Sequence, residues 1–330
     1  MVAAAAALLV AGASLLSLLL YLPAQALART LPPSRPDLRA RLYLTTLLTP
    51  VLLSLALAAW VLTRLVLHPL FSPHADRLRP HLCLLTLLDT PDGPFRARLL
   101  ALACAALALA AVAVAVGGMV AAAWHGRTLA RKGRRQEAPP WAPGVALWET
   151  EGGLASSRGL RPTVAVGRSL GKLFTGAEAD AILAHEVAHA RRRDALIGPL
   201  AAALTLLQGL SPAAWVLHYR WRQEREAVCD RYAAQQTSPE AIRAALATAQ
   251  TLAGALEETS PLSPADRHTL TRLTWRLQRL EGDQAKASST WVPTIPAALG
   301  LALAASIILL PPLRDSLHCA AQALLGALGR

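Results

Sequence analysis

His185-Glu186-Val187-Ala188-His189 decides how this 330-residue chain is read. Upstream, Thr175-Gly176-Ala177-Glu178 has the pattern of a capping box. It stands before an apolar run through Ala181, Ile182, Leu183 and Val187, so a helix is predicted from about Gly176 to Arg193. Residues four apart share one face of such a helix, and the two imidazoles can each send a ring nitrogen to the same point. Glu186, one position along, can reach a water at that point without being a ligand itself. The alternative is two surface histidines on an ordinary amphipathic helix. At this composition chance supplies the pentapeptide in roughly one sequence in a hundred, so the stretch reads as a metallopeptidase active site.

A catalytic zinc of this type needs a third protein ligand and an open position for water. Glu226 is the best candidate, within Arg222-Gln223-Glu224-Arg225-Glu226-Ala227-Val228-Cys229-Asp230. Glu226 and Asp230 share a helical face, and Asp230 can accept a hydrogen bond from the distal nitrogen of a ligand histidine. Glu224 points to another side of the helix and is expected as a solvated charge among Arg222, Arg225 and Arg231. His218 competes for the third position, but sits with Tyr219 and Trp221 as at a membrane or domain boundary.

These residues resemble the bacterial membrane-integral zinc peptidases of the beta-lactam sensor and antirepressor (BlaR/MecR) type. The HtpX and CAAX-protease families are more distant relatives. Ala184 to His189, followed by Arg191, Arg192, Arg193 and Asp194, is similar to that family's zinc helix, and Glu226 to Asp230 to its third-ligand motif. The resemblance implies His185, His189 and Glu226 as zinc ligands, Glu186 as catalytic base, and Asp194 and Asp230 as supporting residues. It is specific over roughly Pro162 to Tyr232 and architectural elsewhere. The chain carries no large domain after its last apolar segment, so direct antibiotic sensing is not expected.

Composition agrees with a membrane enzyme, since 54% of residues are hydrophobic and mean hydropathy is +0.37. Val2–Leu22, Leu42–Val61, Leu99–Trp124 and Val292–Leu310 are each long enough to cross a hydrocarbon layer of about 30 Å. Pro50 is expected to kink the second without ending it. The first block has no Lys or Arg ahead of it and reads as a retained anchor rather than a cleaved signal peptide ending at Ala24-Gln25-Ala26. The net charge of +12 could suggest nucleic acid, but the arginines are not interleaved with aromatics in a recognition motif, and no direct nucleic-acid partner is expected. The densest basic run, Arg131-Lys132-Gly133-Arg134-Arg135, follows the third block and marks the cytoplasmic side. Cys83, Cys104, Cys229 and Cys319 show no paired spacing.

Between the third block and the zinc helix, residues 140–153 and 162–167 read as two short strands around a glycine-containing turn. This β-hairpin would offer an edge for an extended substrate or would only pack the helix. Ser238-Pro239-Glu240 starts a helix to about Leu256, and Ser263-Pro264-Ala265-Asp266 caps another. The second carries a stripe of Leu270, Leu273, Leu277 and Leu280, with Arg272, Arg276 and Arg279 elsewhere. It is expected to rest on an anionic membrane surface or to pack its leucines on the catalytic domain. Ala195 to Leu217 is long enough for a crossing, yet a crossing would put His185 and Glu226 on opposite sides of the layer. Gly209-Leu210-Ser211-Pro212 interrupts the run, and a broken helical hairpin is predicted, dipping into the membrane or lying on its cytoplasmic face.

The expected fold is therefore mainly α, a multi-pass membrane protein with a zincin-like helical catalytic domain and a short β-hairpin. Residues 1–124 hold three transmembrane helices. Residues 125–290 form a cytoplasmic zinc peptidase domain that includes the hairpin at 195–217, residues 291–312 the final transmembrane helix, and residues 313–330 an extracytoplasmic tail. The expected cofactor is Zn2+. The expected activity is endopeptidase cleavage of cytoplasmic or membrane-adjacent proteins at the plasma membrane, with lipid and a protein substrate, such as a transcriptional repressor, as partners. Alternatives are broad membrane quality control, or a signal transducer that retains the zinc fold without turnover. Tyr219, Tyr232 and Arg225 are candidate oxyanion donors.

Overall fold

The computed structural model describes residues 2–32, 34–71, 93–151, 154–259, 274–277, 279 and 280. The expected final crossing, the tail and most of the leucine-stripe helix lie outside the described residues. Three long helices open the chain: α1 (Val2–Thr30), α2 (Pro36–Phe71) and α3 (Gly93–Lys132). Each contains an apolar stretch sufficient to cross a membrane, at Leu9–Thr30, Pro36–Leu57 and Leu102–Lys132. All three run beyond the apolar blocks that predict them, and α2 continues through Pro50.

A small sheet follows, built from β1 (Arg134–Gln136), β2 (Ala146–Thr150), β3 (Ala155–Ser157) and β4 (Thr163–Gly167), in the spatial order β1-β2-β4-β3. The two expected strands exist as β2 and β4, but they run parallel instead of forming a hairpin, with Leu147 opposite Val164. The short β3 intervenes in sequence and pairs antiparallel with the far side of β4, so the hairpin in this fold is β3–β4. Between them Gly159, at a φ of +89°, makes the left-handed turn that glycine tolerates. One face of the sheet buries Leu147 and Val164 against Val187 and Ala190 of the next long helix.

After a single helical turn, α4 (Leu170–Leu173), the chain enters α5 (Gly176–Arg191) through the expected capping box. The Thr175 hydroxyl accepts from the Glu178 amide, and the Glu178 carboxylate accepts from the Thr175 amide at 2.7 Å. α6 (Asp194–Leu207) and α7 (Pro212–Gln236) then form the broken hairpin, with residues 208–211 as its turn and Pro212 at the first position of α7. α8 (Pro239–Thr259) closes over α5, burying Ile242 and Leu246 against Ala181, Ala184 and Ala233.

The hairpin is inserted among the long helices. Ala201, Ala214, Leu217 and Trp221 are buried with Ala24 and Ala28 of α1 and with Leu42, Tyr43 and Leu47 of α2. On the other side α6 lies along α3, so closely that a β-carbon at Gly118 would run into the ring of Pro199. At the tip, Gln208 donates to the Leu47 carbonyl at 2.8 Å and Ser211 contacts Ser17 at 3.3 Å. Both tip residues are fully buried, and these contacts give their polar side chains partners on α1 and α2.

Candidate metal centre

α5 carries His185, Glu186 and His189, and α7 crosses behind it with Glu226 and Asp230. The Nε2 atoms of His185 and His189 are 3.0 Å apart, and Glu226 Oε2 lies 3.6 Å from the first and 3.7 Å from the second. A tetrahedral zinc with bonds of about 2.0–2.1 Å sets its ligand atoms about 3.3–3.4 Å apart, so these separations bracket what the ion needs. Each imidazole uses its other nitrogen on a carboxylate. His185 Nδ1 meets Asp230 Oδ1 at 2.9 Å, and His189 Nδ1 meets Asp194 Oδ2 at 2.6 Å. Those bonds put the ring protons on Nδ1 and turn both Nε2 lone pairs toward each other and toward the Glu226 carboxylate. A divalent cation relieves that convergence of acceptors, and the donor set fits zinc.

The turn between α5 and α6 delivers Asp194. Arg193 adopts φ 55° and ψ 41°, a left-handed conformation uncommon outside glycine, and it reverses the chain so that the residue opening α6 points back at His189. Asp194 and Asp230 are both buried, as are the two histidines, while Glu186 and Glu226 are half-buried and face the cleft.

Burial works against a charge on His189, but its bonds to Asp194, Cys229 and Glu226 outweigh burial and push its pKa up to about 12. Burial raises the Glu226 carboxyl, yet the two histidines hold it well below its ordinary value. Asp230 is likewise opposed by burial, and Arg276 and His185 bring it down to about 2.

A second group, His189, Asp194 and Cys229, also has its donor atoms close together. It is the poorer site. His189 Nδ1 is already hydrogen-bonded to Asp194, and burial pushes the Cys229 thiol up, away from the thiolate a metal takes.

The cleft over the centre holds about 510 Å³. Its polar side is formed by Glu186, Arg225, Glu226 and Arg276, and its apolar side by Leu154, Phe174, Ile182 and Leu246. Strand β3 forms one rim. Arg158 donates to Thr163 and Gly167 to Leu154 across the β3–β4 ladder, so Ala155 and Ser157 turn their backbone groups to the free edge. The Ser157 amide donates to Glu186 Oε2 at 2.6 Å.

Other candidates lie elsewhere. Glu224 is not a solvated charge but only 5% exposed, because its carboxylate accepts from Arg279 at 2.6 Å and faces Arg39 of α2 at 3.8 Å. His218 stands beside Trp221, outside the metal-ligating groups among the described residues. Tyr219 is exposed, and Tyr232 donates to the Trp141 carbonyl; of the three oxyanion candidates, Arg225 alone borders the cleft. Sequence reasoning misses Arg276, which reaches both Asp230 and the cleft. The signal available was its place beside the leucine stripe, whose Leu277 and Leu280 pack against the α5–α8 cluster rather than on lipid.

An HExxH helix backed by a glutamate helix, in a protein whose long apolar helices are sufficient to cross a membrane, forms a candidate metal centre of zincin-like arrangement. Residues 158–265, which contain all six expected site residues, match the family model described as BlaR1 peptidase M56. That match supports a membrane metallopeptidase of the BlaR/MecR type, as the sequence resemblance implied. Neither a curated protein nor a solved structure gives a match.

Proposed function

We propose that this protein is a zinc metalloendopeptidase whose active site lies at the cytoplasmic boundary of the plasma membrane. His185, His189 and Glu226 are its ligands, Glu186 its general base, and Asp194 and Asp230 the carboxylates that orient the two imidazoles. The observation that carries the reading is the convergence of three acceptor atoms on one point, with each histidine fixed from behind. Bound there, zinc supplies Lewis acidity toward the scissile carbonyl and acidifies a water. Glu186 takes the proton from the attacking water and passes it to the departing amine. The outward-facing backbone groups of Ala155 and the Ser157 carbonyl align an extended substrate chain, and the apolar wall of the cleft takes its side chains.

The hairpin supports the membrane placement. With α6 about 21 Å long at 1.5 Å per residue, a tip held at Ser17 and Leu47 within the apolar spans leaves Asp194 near the layer's surface. The turn between α1 and α2 lies on the same side as the site, since Arg231 of α7 donates to the Ser34 carbonyl. The basic run after α3 supports a cytoplasmic assignment of that side, and with it three crossings in residues 1–124 and an outside N-terminus. The substrate class is a cytoplasmic or membrane-adjacent protein, a transcriptional repressor among them.

The test is the Glu186→Gln variant in detergent, assayed with a fluorogenic peptide library. It keeps its zinc and loses cleavage by about 100-fold or more, because an amide preserves shape and accepts no proton. Cleavage at the parent rate contradicts the assignment.

A further inference from the structure

Arg276 stands outside the family-matched residues, yet its guanidinium reaches the metal centre from behind. Its Nε donates to Asp230 Oδ2 at 2.9 Å, and its second terminal nitrogen donates to Asp230 Oδ1, the oxygen that also accepts from His185 Nδ1. That nitrogen is 3.3 Å from His185 Nδ1, because two donors converge on one acceptor. A carboxylate gripped at both oxygens cannot rotate, and a planar guanidinium is the group that grips both. The two supporting carboxylates differ in this respect. Asp194 is set by the backbone at the start of α6, with Arg225 and Arg192 no nearer than 3.7 and 3.9 Å. Asp230 sits mid-helix at 2% exposure, and among the described residues the charged groups that bond it are Arg276 and the ligand histidine.

We propose that Arg276 is a positioning residue of the metal centre, fixing Asp230 so that His185 presents Nε2 to the metal. The helical residues 274–277 are thereby part of the active site. The proposal rests on the metal reading above. Removing the guanidinium leaves the buried Asp230 carboxylate without the group that holds both of its oxygens. His185 then loses its fixed acceptor. Nearby contacts hold the helix in place: Leu277 and Leu280 pack against the α5–α8 cluster, and Arg279 bonds Glu224 at 2.6 Å.

The experiment measures zinc affinity of the full chain in detergent by competition with a chromophoric chelator, with thermal unfolding of the metal-free protein as the folding control. Arg276→Met lowers affinity by about tenfold, the scale on which outer partners of metal ligands act. Arg276→Lys recovers part of the loss, since an ammonium holds one oxygen and not both. Asp230→Asn lowers affinity as well, and the double variant falls no further than Asp230→Asn alone, because one residue acts through the other. Arg243→Met, on the neighbouring α8, leaves affinity unchanged. Parent-like affinity in Arg276→Met, or losses that add in full, overturns the proposal. A parent that binds no zinc overturns the metal reading itself.

Discussion

His189 is the residue on which acid–base chemistry and metal binding meet. Its pKa is pushed up to about 12, so at neutral pH a proton occupies the nitrogen proposed to take zinc. Zinc uptake near pH 7 therefore releases protons, about one or more per ion. Calorimetry in buffers of different ionisation enthalpy measures the number, and an enthalpy independent of buffer contradicts the assignment. The stability of the metal-free protein follows the same shifts. His189, raised above its ordinary 6.5, contributes stability that is complete below about 6.5 and is lost as pH rises toward about 12. Asp230, lowered from 3.8 to about 2, contributes stability present above about 3.8 and lost as pH falls through about 2.

Glu224 and Glu226, two positions apart, separate structural from chemical roles. Glu226→Ala loses zinc. Glu224→Ala keeps it but removes the carboxylate that Arg39 and Arg279 share, and lowers stability by about 1–3 kcal/mol. Metal analysis and thermal unfolding read the two outcomes, and the reverse pattern would move the third ligand. Spacing alone put Glu226 and Asp230 forward as candidates, because an i, i+4 pair is a local property of a helix. Arg276 was not legible that way, since its partner is 46 residues away and only folding brings them together. For Glu224 the neighbouring arginines misled, because its actual cations come from α2 and from the segment after α8.

At the scale of elements, the α5–α6 turn and the α3–α6 contact each depend on one backbone feature. Arg193→Gly leaves stability unchanged or raises it by up to about 1 kcal/mol, as glycine accepts the left-handed conformation without strain. Arg193→Val lowers it. Gly118 sits where α3 meets Pro199, whereas nothing lies within 4 Å of a β-carbon at the adjacent Gly117. Gly118→Val therefore lowers the unfolding temperature in detergent and Gly117→Val does not; equal effects would contradict the packing of α6 on α3. The hairpin break at 209–212 was readable because glycine and proline punctuate a helix wherever it lies. The parallel pairing of β2 and β4 was not. Two strands a dozen residues apart suggest a hairpin, and β3, with Ala-Ser-Ser and no branched or aromatic residue, gives little sign of being a strand.

For the whole molecule the decisive question is which side of the membrane holds the site. L200C and R220C in a cysteine-free background report it through impermeant thiol reagents. Position 220 labels in inverted vesicles and not in intact cells, and position 200, on the apolar α6, labels in neither. Labelling of position 220 from outside would contradict the cytoplasmic placement.

The coordination of the ion tests the central claim most directly, because the two candidate ligand sets differ in chemistry. X-ray absorption at the zinc edge of the loaded protein should show only nitrogen and oxygen neighbours at about 2.0–2.1 Å, with scattering from two imidazoles, as His185, His189 and Glu226 provide. A sulfur neighbour at about 2.3 Å would place the ion with Cys229 and Asp194 instead and contradict the account.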